Sequence, residues 1–307
     1  MTELDLTIAE GECIGFLGPN GAGKTTVMRM LTTLLRPSAG TAKVAGFDLL
    51  RQPRQIRRHI GYVAQNSGLS PESTVAEELV IQGRLHGFSK KSARLTAEEL
   101  AEILEFGDLM RRTTKTLSGG QRRRVDIALS LAHGPSVLFL DEPTTGLDPQ
   151  SRANLWAHIR RLHHHLGVTV FLTTHYLDEA DALADRLLIM DGGRIVADGA
   201  PDALKSHVGE DTLTLRVPSH VLDEAATAIR SATGVADVDV MAEDCVRAKV
   251  SSSGVVPEVI SALEAAGVSA TSLHVQRPTL DEVFLQLTGR TLTGDAGHQE
   301  DGVDDAA

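Results

Sequence analysis

Apolar positions recur along this chain with two periods, and each switch between them marks an element. Residues 2–10, TELDLTIAE, alternate polar and apolar and predict a strand that turns at Gly11. Apolar runs at Cys13–Leu17, 60–64, 137–140 and 168–173 predict buried strands, with a shorter strand at 41–45. Helical spacing follows Gly23, and residues 51–59 read as a basic helical turn. From 74 to about 106 the pattern is helical, rich in Glu, Ala and Leu, with no strand candidate. Helices are predicted again at 122–132 and Pro149–Leu166, and residues 186–198 read as a hairpin turning at Asp191-Gly192-Gly193.

Strands alternating with helices predict an α/β fold, a mainly parallel sheet with helices on both faces, and residues 66–130 form an inserted helical subdomain in it. Past Gly209 the order is strand 212–217, helix 220–232, strands 235–240 and 246–250, helix 256–266 and strand 268–275. That β-α-β-β-α-β succession predicts a small α+β, ferredoxin-like module, closed by a Thr-capped helix at 279–287. The expected domains are therefore 1–208 and 209–290. A tail, 291–307, follows with five acidic residues and no Lys or Arg, and is expected to be disordered.

Between the run Cys13–Leu17 and its helix stands GPNGAGKT: Gly18, Pro19, Asn20, Gly21, Ala22, Gly23, Lys24 and Thr25. It matches G-x-x-x-x-G-K-[ST] at every specified position. Gly18, Gly21 and Gly23 let the backbone turn its N–H groups inward, and the positive end of the helix completes an anion site shaped for phosphates. Lys24 adds a point charge for β- and γ-phosphates, and Thr25, followed by Thr26, supplies a hydroxyl for Mg²⁺. A nucleotide-binding protein is expected. Ligands of such sheets bind beyond the carboxyl ends of the strands. Gly18, Gln65, Asp141 and His175 all follow predicted strands, so they can converge on one nucleotide.

The strand Val137-Leu138-Phe139-Leu140 runs into Asp141-Glu142. Asp141 is placed to hold Mg²⁺, directly or through water, and Glu142, pointing differently, to orient or deprotonate an attacking water. Leu117-Ser118-Gly119-Gly120-Gln121 precedes a helix, and Ser118 with the glycines suits a cap that shows N–H groups to an anion. Together these stretches resemble the ATP-binding subunit of an ABC transporter. GPNGAGKT resembles the Walker A loop, VLFLDE the Walker B strand and LSGGQ the family signature. Gln65 matches the Q-loop, Thr145-Gly146-Leu147-Asp148 the D-loop and His175 the switch histidine, all in order within residues 12–175.

The resemblance implies a phosphate-loop NTPase core of the ABC ATPase kind, with ATP and Mg²⁺ as ligands. Gln65 would join Thr25 and Asp141 at the metal, Glu142, His175 and Gln65 would act in catalysis, and Asp148 would join the nucleotide-binding residues. It also implies a head-to-tail dimer with ATP between one subunit's Walker A and the other's Ser118, Gly119, Gly120 and Gln121. A second nucleotide-binding subunit, most simply another copy, is therefore expected. Residues 186–204 and the module ending Pro278-Thr279-Leu280-Asp281-Glu282-Val283-Phe284-Leu285 are similar to exporters of the daunorubicin-resistance type. In these a separate ATPase subunit drives a membrane permease that exports drugs or other hydrophobic compounds, and related exporters of lipids and polysaccharides share much of the pattern. Family members usually carry a further strand and an adenine-stacking aromatic upstream of where this chain begins. Here only residues 2–10 precede the core, with no aromatic. The expectation is a natural start further upstream. The alternative is adenine binding without that platform, at a loss of about 1–3 kcal/mol, or about 5- to 150-fold in affinity.

Composition narrows the rest. The 307 residues are 42% hydrophobic and 23% charged, ordinary for one large and one small globular domain. No apolar run approaches a membrane span, the N-terminus lacks a signal peptide's pattern, and Cys13 and Cys245 offer neither a disulfide framework nor metal spacing. A cytoplasmic location is expected, and the resemblance adds peripheral attachment to the inner face of the cell membrane through the permease. A net charge of −11 speaks against nucleic acid as a partner. His163-His164-His165 point in different directions from a helix and read as solvated surface, as do the four arginines of 51–58. Arg122-Arg123-Arg124 fit either phosphate contact or solvated surface, and Glu77 and Glu78 either coupling to a membrane partner or plain surface. A non-transport ABC ATPase usually shows tandem ATPase domains or a long coiled coil, and neither is present. A non-hydrolysing switch sits badly with having both Glu142 and His175.

Overall fold

In the computed structural model, which describes residues 4–65, 68–242 and 244–292, the run CIGFL is strand β1 (Cys13–Leu17), buried at every position. A glycine loop leads to α1 (Lys24–Leu31). Two-residue strands β2 (Lys43–Val44) and β3 (Phe47–Asp48) pair antiparallel, and α2 (Pro53–His59) runs into β4 (Ile60–Val63). The helical insert holds α3 (Val75–Leu85), α4 (Lys90–Ile103) and α5 (Gly119–Leu131). Then come β5 (Val137–Asp141), α6 (Pro149–Leu166), β6 (Thr169–Thr174), α7 (Leu177–Leu183), β7 (Arg186–Asp191) and β8 (Arg194–Gly199).

These strands form one sheet in the order β4-β5-β6-β1-β7-β8, parallel except for β8, the hairpin partner of β7. Alternation along each strand decides what covers each face. Ile14, Phe16, Phe139 and Phe171 meet Val27, Met28 and Ile56 on one side. Leu138, Leu140, Val170 and Leu172 meet Leu155, Ile159 and the helical insert on the other. The Phe171 ring anchors the first layer, with centroids 5.0 Å from Phe16 and 5.4 Å from Phe139. Register then sets the working edge: Leu17 lies opposite Thr174, Asp141 opposite Thr173, and Val63 opposite Leu140. Four strands thus end within two residues of one another.

Three helix starts of this unit and its insert are capped by the side chains their sequences offer. Thr74 and Glu77 form a reciprocal capping box on α3, Ser89 caps α4, and Asp148 caps α6. Glu77, exposed at the surface, also serves as a cap, a role its sequence position had not been assigned.

The described chain divides into two compact units, one reaching Pro201 and including Leu292, the other Asp202–Thr291. The second begins within α8 (Pro201–Val208) and holds β9 (Asp211–Arg216), α9 (Leu222–Ser231), β10 (Val235–Ala242), β11 (Cys245–Val250), α10 (Val256–Ala265), β12 (Ser272–Gln276) and α11 (Leu280–Thr288). Its sheet, β10-β11-β9-β12, is antiparallel throughout, over a core that includes Leu213, Leu215, Ile229, Val246 and Val259. This is the anticipated β-α-β-β-α-β arrangement.

One predicted strand is absent. Residues 4–10 form no strand, although Leu4, Leu6 and Ile8 keep their alternation and pack on the Phe16 core. Alternation reports one buried face, whereas a strand also needs a ladder partner, and the described residues offer none. Thr2, Glu3, the first residues of the helical insert at 66–67, and the tail from 293 lie outside the described residues. Helices α7 and α8, seven and eight residues long, match no predicted helix.

Phe171→Ala should destabilise the full chain by about 3–5 kcal/mol in urea unfolding. A loss below about 1 kcal/mol would show that the three-ring layer does not hold the sheet.

Candidate functional site

The loop after β1 bends through Gly21 at φ 82° and Gly23 at φ 105°, left-handed conformations that glycine adopts without strain. Gly18 is fixed differently: a Cβ there would lie 2.4 Å from the Met190 carbonyl of β7. The first helical hydrogen bond of α1 runs from Val27 N–H to Gly23 O at 3.0 Å. The amides of Lys24, Thr25 and Thr26 precede it and have no helical acceptor. Asn20, Thr25 and Thr26 are exposed, Pro19 is half-buried, and Ala22 is buried beneath.

Lys24 is 5% exposed and donates to Gly18 O at 2.6 Å and Pro19 O at 3.0 Å, with its ammonium 3.8 Å from Glu142 Oε1. Burial pushes its pKa down, and Glu142 and Asp141 work against that. Thr25 Oγ1 donates to Asp141 Oδ1 at 3.2 Å, and Thr173 Oγ1 donates to the same oxygen at 2.7 Å. A hydroxyl, a carboxylate and the nearby Gln65 amide are hard oxygen donors. They fit magnesium.

Glu142 leaves β5 at φ 43°, in the left-handed region where a side-chain-bearing residue is strained. Its N–H is held by Thr173 O and Oγ1, both at 3.1 Å. That turn aims its carboxylate away from Asp141. Oε2 accepts from Gln65 Nε2 at 3.3 Å and Thr145 Oγ1 at 3.2 Å, and Oε1 lies 3.4 Å from His175 Nδ1, off hydrogen-bond alignment. His175 above all, with Lys24 and Thr145, holds the Glu142 carboxyl below its usual range despite burial. Walker A, Gln65, Asp141, Glu142 and His175 are thus one cluster.

A second cluster stands apart. Ser118 and Gln121 cap α5 reciprocally, at 3.3 and 3.0 Å. A Cβ on Gly119 would lie 3.2 Å from Leu147, and one on Gly120 3.3 Å from Ser151. The signature therefore packs on the loop and helix start that carry Asp148, whose Oδ1 accepts Ser151 N–H at 2.9 Å. Among the described residues, no hydrogen bond or ion pair joins this cluster to Walker A.

Arg123 corrects the reading of its triplet. It is buried, 7% exposed, and neither faces solvent nor meets the phosphate loop. Its guanidinium donates to Pro143 O at 2.8 Å, Asp141 O at 2.9 Å and Ala64 O, so one cation ties α5 to the strand ends before Gln65 and around Glu142. Arg124 reaches Glu105 O and His158. The available signal was the spacing Arg123–Ile127, four residues apart on the buried face of α5. Thr173 was also missed; a Thr-Thr pair ending an apolar strand was its only mark. His163 is half-buried and its Nδ1 meets Val168 O at 2.9 Å, so only His164 and His165 are surface, and the described residues include no cluster of metal-ligating side chains around them.

Comparison with known proteins gives the same outline. Residues 1–145 match the family described as ABC transporter, and residues 199–288 match the C-terminal domain of ATP-binding proteins like DrrA1-3. The daunorubicin resistance ATP-binding protein DrrA3 of Streptomyces coeruleorubidus is 46% identical over 289 residues, 93% of this chain and 90% of that one. Among solved structures, cbiO1 of Clostridium perfringens, part of the ABC transporter complex cbiONQ, aligns with a TM-score of 0.62 at 28% identity over 66% of this chain and 82% of that one. A dimeric ATP-binding cassette in a post-hydrolysis state with ADP and Pi aligns at 0.57 and 27%, over 64% of this chain and 88% of that one.

Arg123→Lys keeps the charge but not the fork that reaches three carbonyls. It should lower stability by about 2–4 kcal/mol, since buried carbonyls lose charged donors. An unchanged denaturation midpoint would rule out the clamp.

Proposed function

This chain belongs to the ABC transporter family, among the daunorubicin-resistance-type ATP-binding proteins, and we propose that it is the ATP-hydrolysing subunit of an exporter of drug-like or other hydrophobic compounds. The observation that carries the reading is the meeting of Lys24, Asp141, Glu142, Gln65 and His175 at one sheet edge, within 3.8 Å of a neighbour in each case.

ATP phosphates bind the amides around Gly23 and draw Lys24 from the carbonyls of Gly18 and Pro19, which also frees Glu142 from its cation. Thr25, Asp141 and Gln65 would hold magnesium, which would supply charge neutralisation at the phosphates. Glu142, anionic at neutral pH, accepts the proton of the attacking water, and His175 and Gln65 fix its carboxylate. Ser118, Gly119, Gly120, Gln121 and Asp148 serve the nucleotide of a second nucleotide-binding subunit, most simply another copy. Their separation from Walker A supports this, as does the likeness to a dimeric cassette.

No helix among the described residues is long and apolar enough to cross a membrane, and the proposal assigns the crossing to a separate transmembrane permease. Exposed Ile81, Leu85 and Leu95 on α3 and α4 support docking of that permease on the helical insert, with the chain peripheral on the inner face of the cell membrane. The name of the Streptomyces coeruleorubidus relative supports a drug as cargo.

Glu142→Gln should bind ATP with near-normal affinity yet release phosphate at least about 100-fold more slowly, and Lys24→Ala should lose nucleotide binding. Wild-type turnover in Glu142→Gln would remove Glu142 from the role. For the cargo, cells carrying this chain with its cognate permease should survive raised daunorubicin, and the Glu142→Gln chain should abolish that protection. Equal sensitivity with and without the pair would exclude this class of cargo.

A further inference from the structure

The mechanism leaves one buried carboxyl unused. Glu179, in the first turn of α7, is 0% exposed, and burial pushes its carboxyl up. Its Oε1 accepts the Trp156 Nε1–H at 3.2 Å. The hydroxyls of Thr174 and Thr144 turn toward the same carboxyl, yet Glu179 Oε2 and Thr144 Oγ1 remain without an aligned hydrogen bond. A buried carboxyl so incompletely satisfied is costly to the fold, so it invites a reason beyond packing.

Its neighbours supply one. Thr174 immediately precedes His175, and Thr144 lies two residues past Glu142. Trp156 stands on α6 eight residues from Asp148, with Arg152 midway, so the three share one helix face. Arg152 lies 3.9 Å over the Tyr176 ring, which in turn lies 4.1 Å from the His175 ring. Glu179 therefore joins the helix that starts at Asp148 to the loop that carries His175.

We propose that Glu179 is a positioning residue that fastens the His175 loop to α6, so that a second subunit seated at Asp148 sets the histidine against Glu142. This rests on the functional reading above. Because the carboxyl is held toward its neutral form, an amide should replace it.

The test uses the full chain, its phosphate release and the emission of Trp156, its sole tryptophan. Glu179→Ala should lower kcat about tenfold with KM within about twofold, Glu179→Gln should keep at least about half of kcat, and Glu179→Ala should cost nothing further in a His175→Ala background. Should Glu179→Ala fail to fold, Trp156→Phe, which removes only the N–H donor and its ring, takes its place in the same cycle, with a loss of about threefold. ATP with magnesium should shift Trp156 emission in the wild type and not in Glu179→Ala. An additive cycle, a Glu179→Gln chain as impaired as Glu179→Ala, or an unresponsive Trp156 would each overturn the inference alone. A wild-type chain that does not hydrolyse ATP would overturn the functional reading itself.

Discussion

Parallel strands whose ends fall within two residues of one another are the constraint on which the site depends. With Leu17 beside Thr174, Asp141 beside Thr173 and Val63 beside Leu140, the backbone ladder fixes where the next residue of each strand begins. Gly18, Gln65, Glu142 and His175 lie far apart in sequence, and a shift of register by one residue would turn each strand's side chains to the opposite face. The apolar layers on both faces of the sheet hold that register, so packing far from the nucleotide decides the geometry near it.

Charge is arranged on that edge with little slack. Asp141 is held by two hydroxyls, whereas Glu142 is turned off by a left-handed backbone bend and meets a lysine, a histidine and an amide instead. Two adjacent carboxylates thereby acquire different surroundings and, in the proposed mechanism, different work. The signature and Asp148 form their own surface, braced by Gly119 and Gly120 against Leu147 and Ser151. One chain carries each half of a site once, which makes the second copy a geometric requirement of the reading.

Contiguous features were legible from the sequence. The phosphate loop, the Walker B strand and the Ser118 cap each declare themselves within a few residues, and the alternation of strand and helix gave the sheet. Features that depend on distant partners were not. Arg123 belongs to a run of three arginines, and only the packing of α5 shows that the middle one is buried against three carbonyls. Residues 4–10 have a strand's pattern without a strand's neighbour. Glu179 looks like any acid at a helix start, and its burial follows from the meeting of α6 and α7 with the loop after Glu142.

In the proposed cycle two copies close on ATP through the Walker A loop of one and the signature of the other. Light scattering on the Glu142→Gln chain, with ATP and magnesium added, measures this directly. The expected mass is twice 32.8 kDa with nucleotide and a single copy without it, and the dimer should be lost in Ser118→Arg. A mass that stays at one copy with ATP bound, or a dimer indifferent to Ser118→Arg, would contradict it.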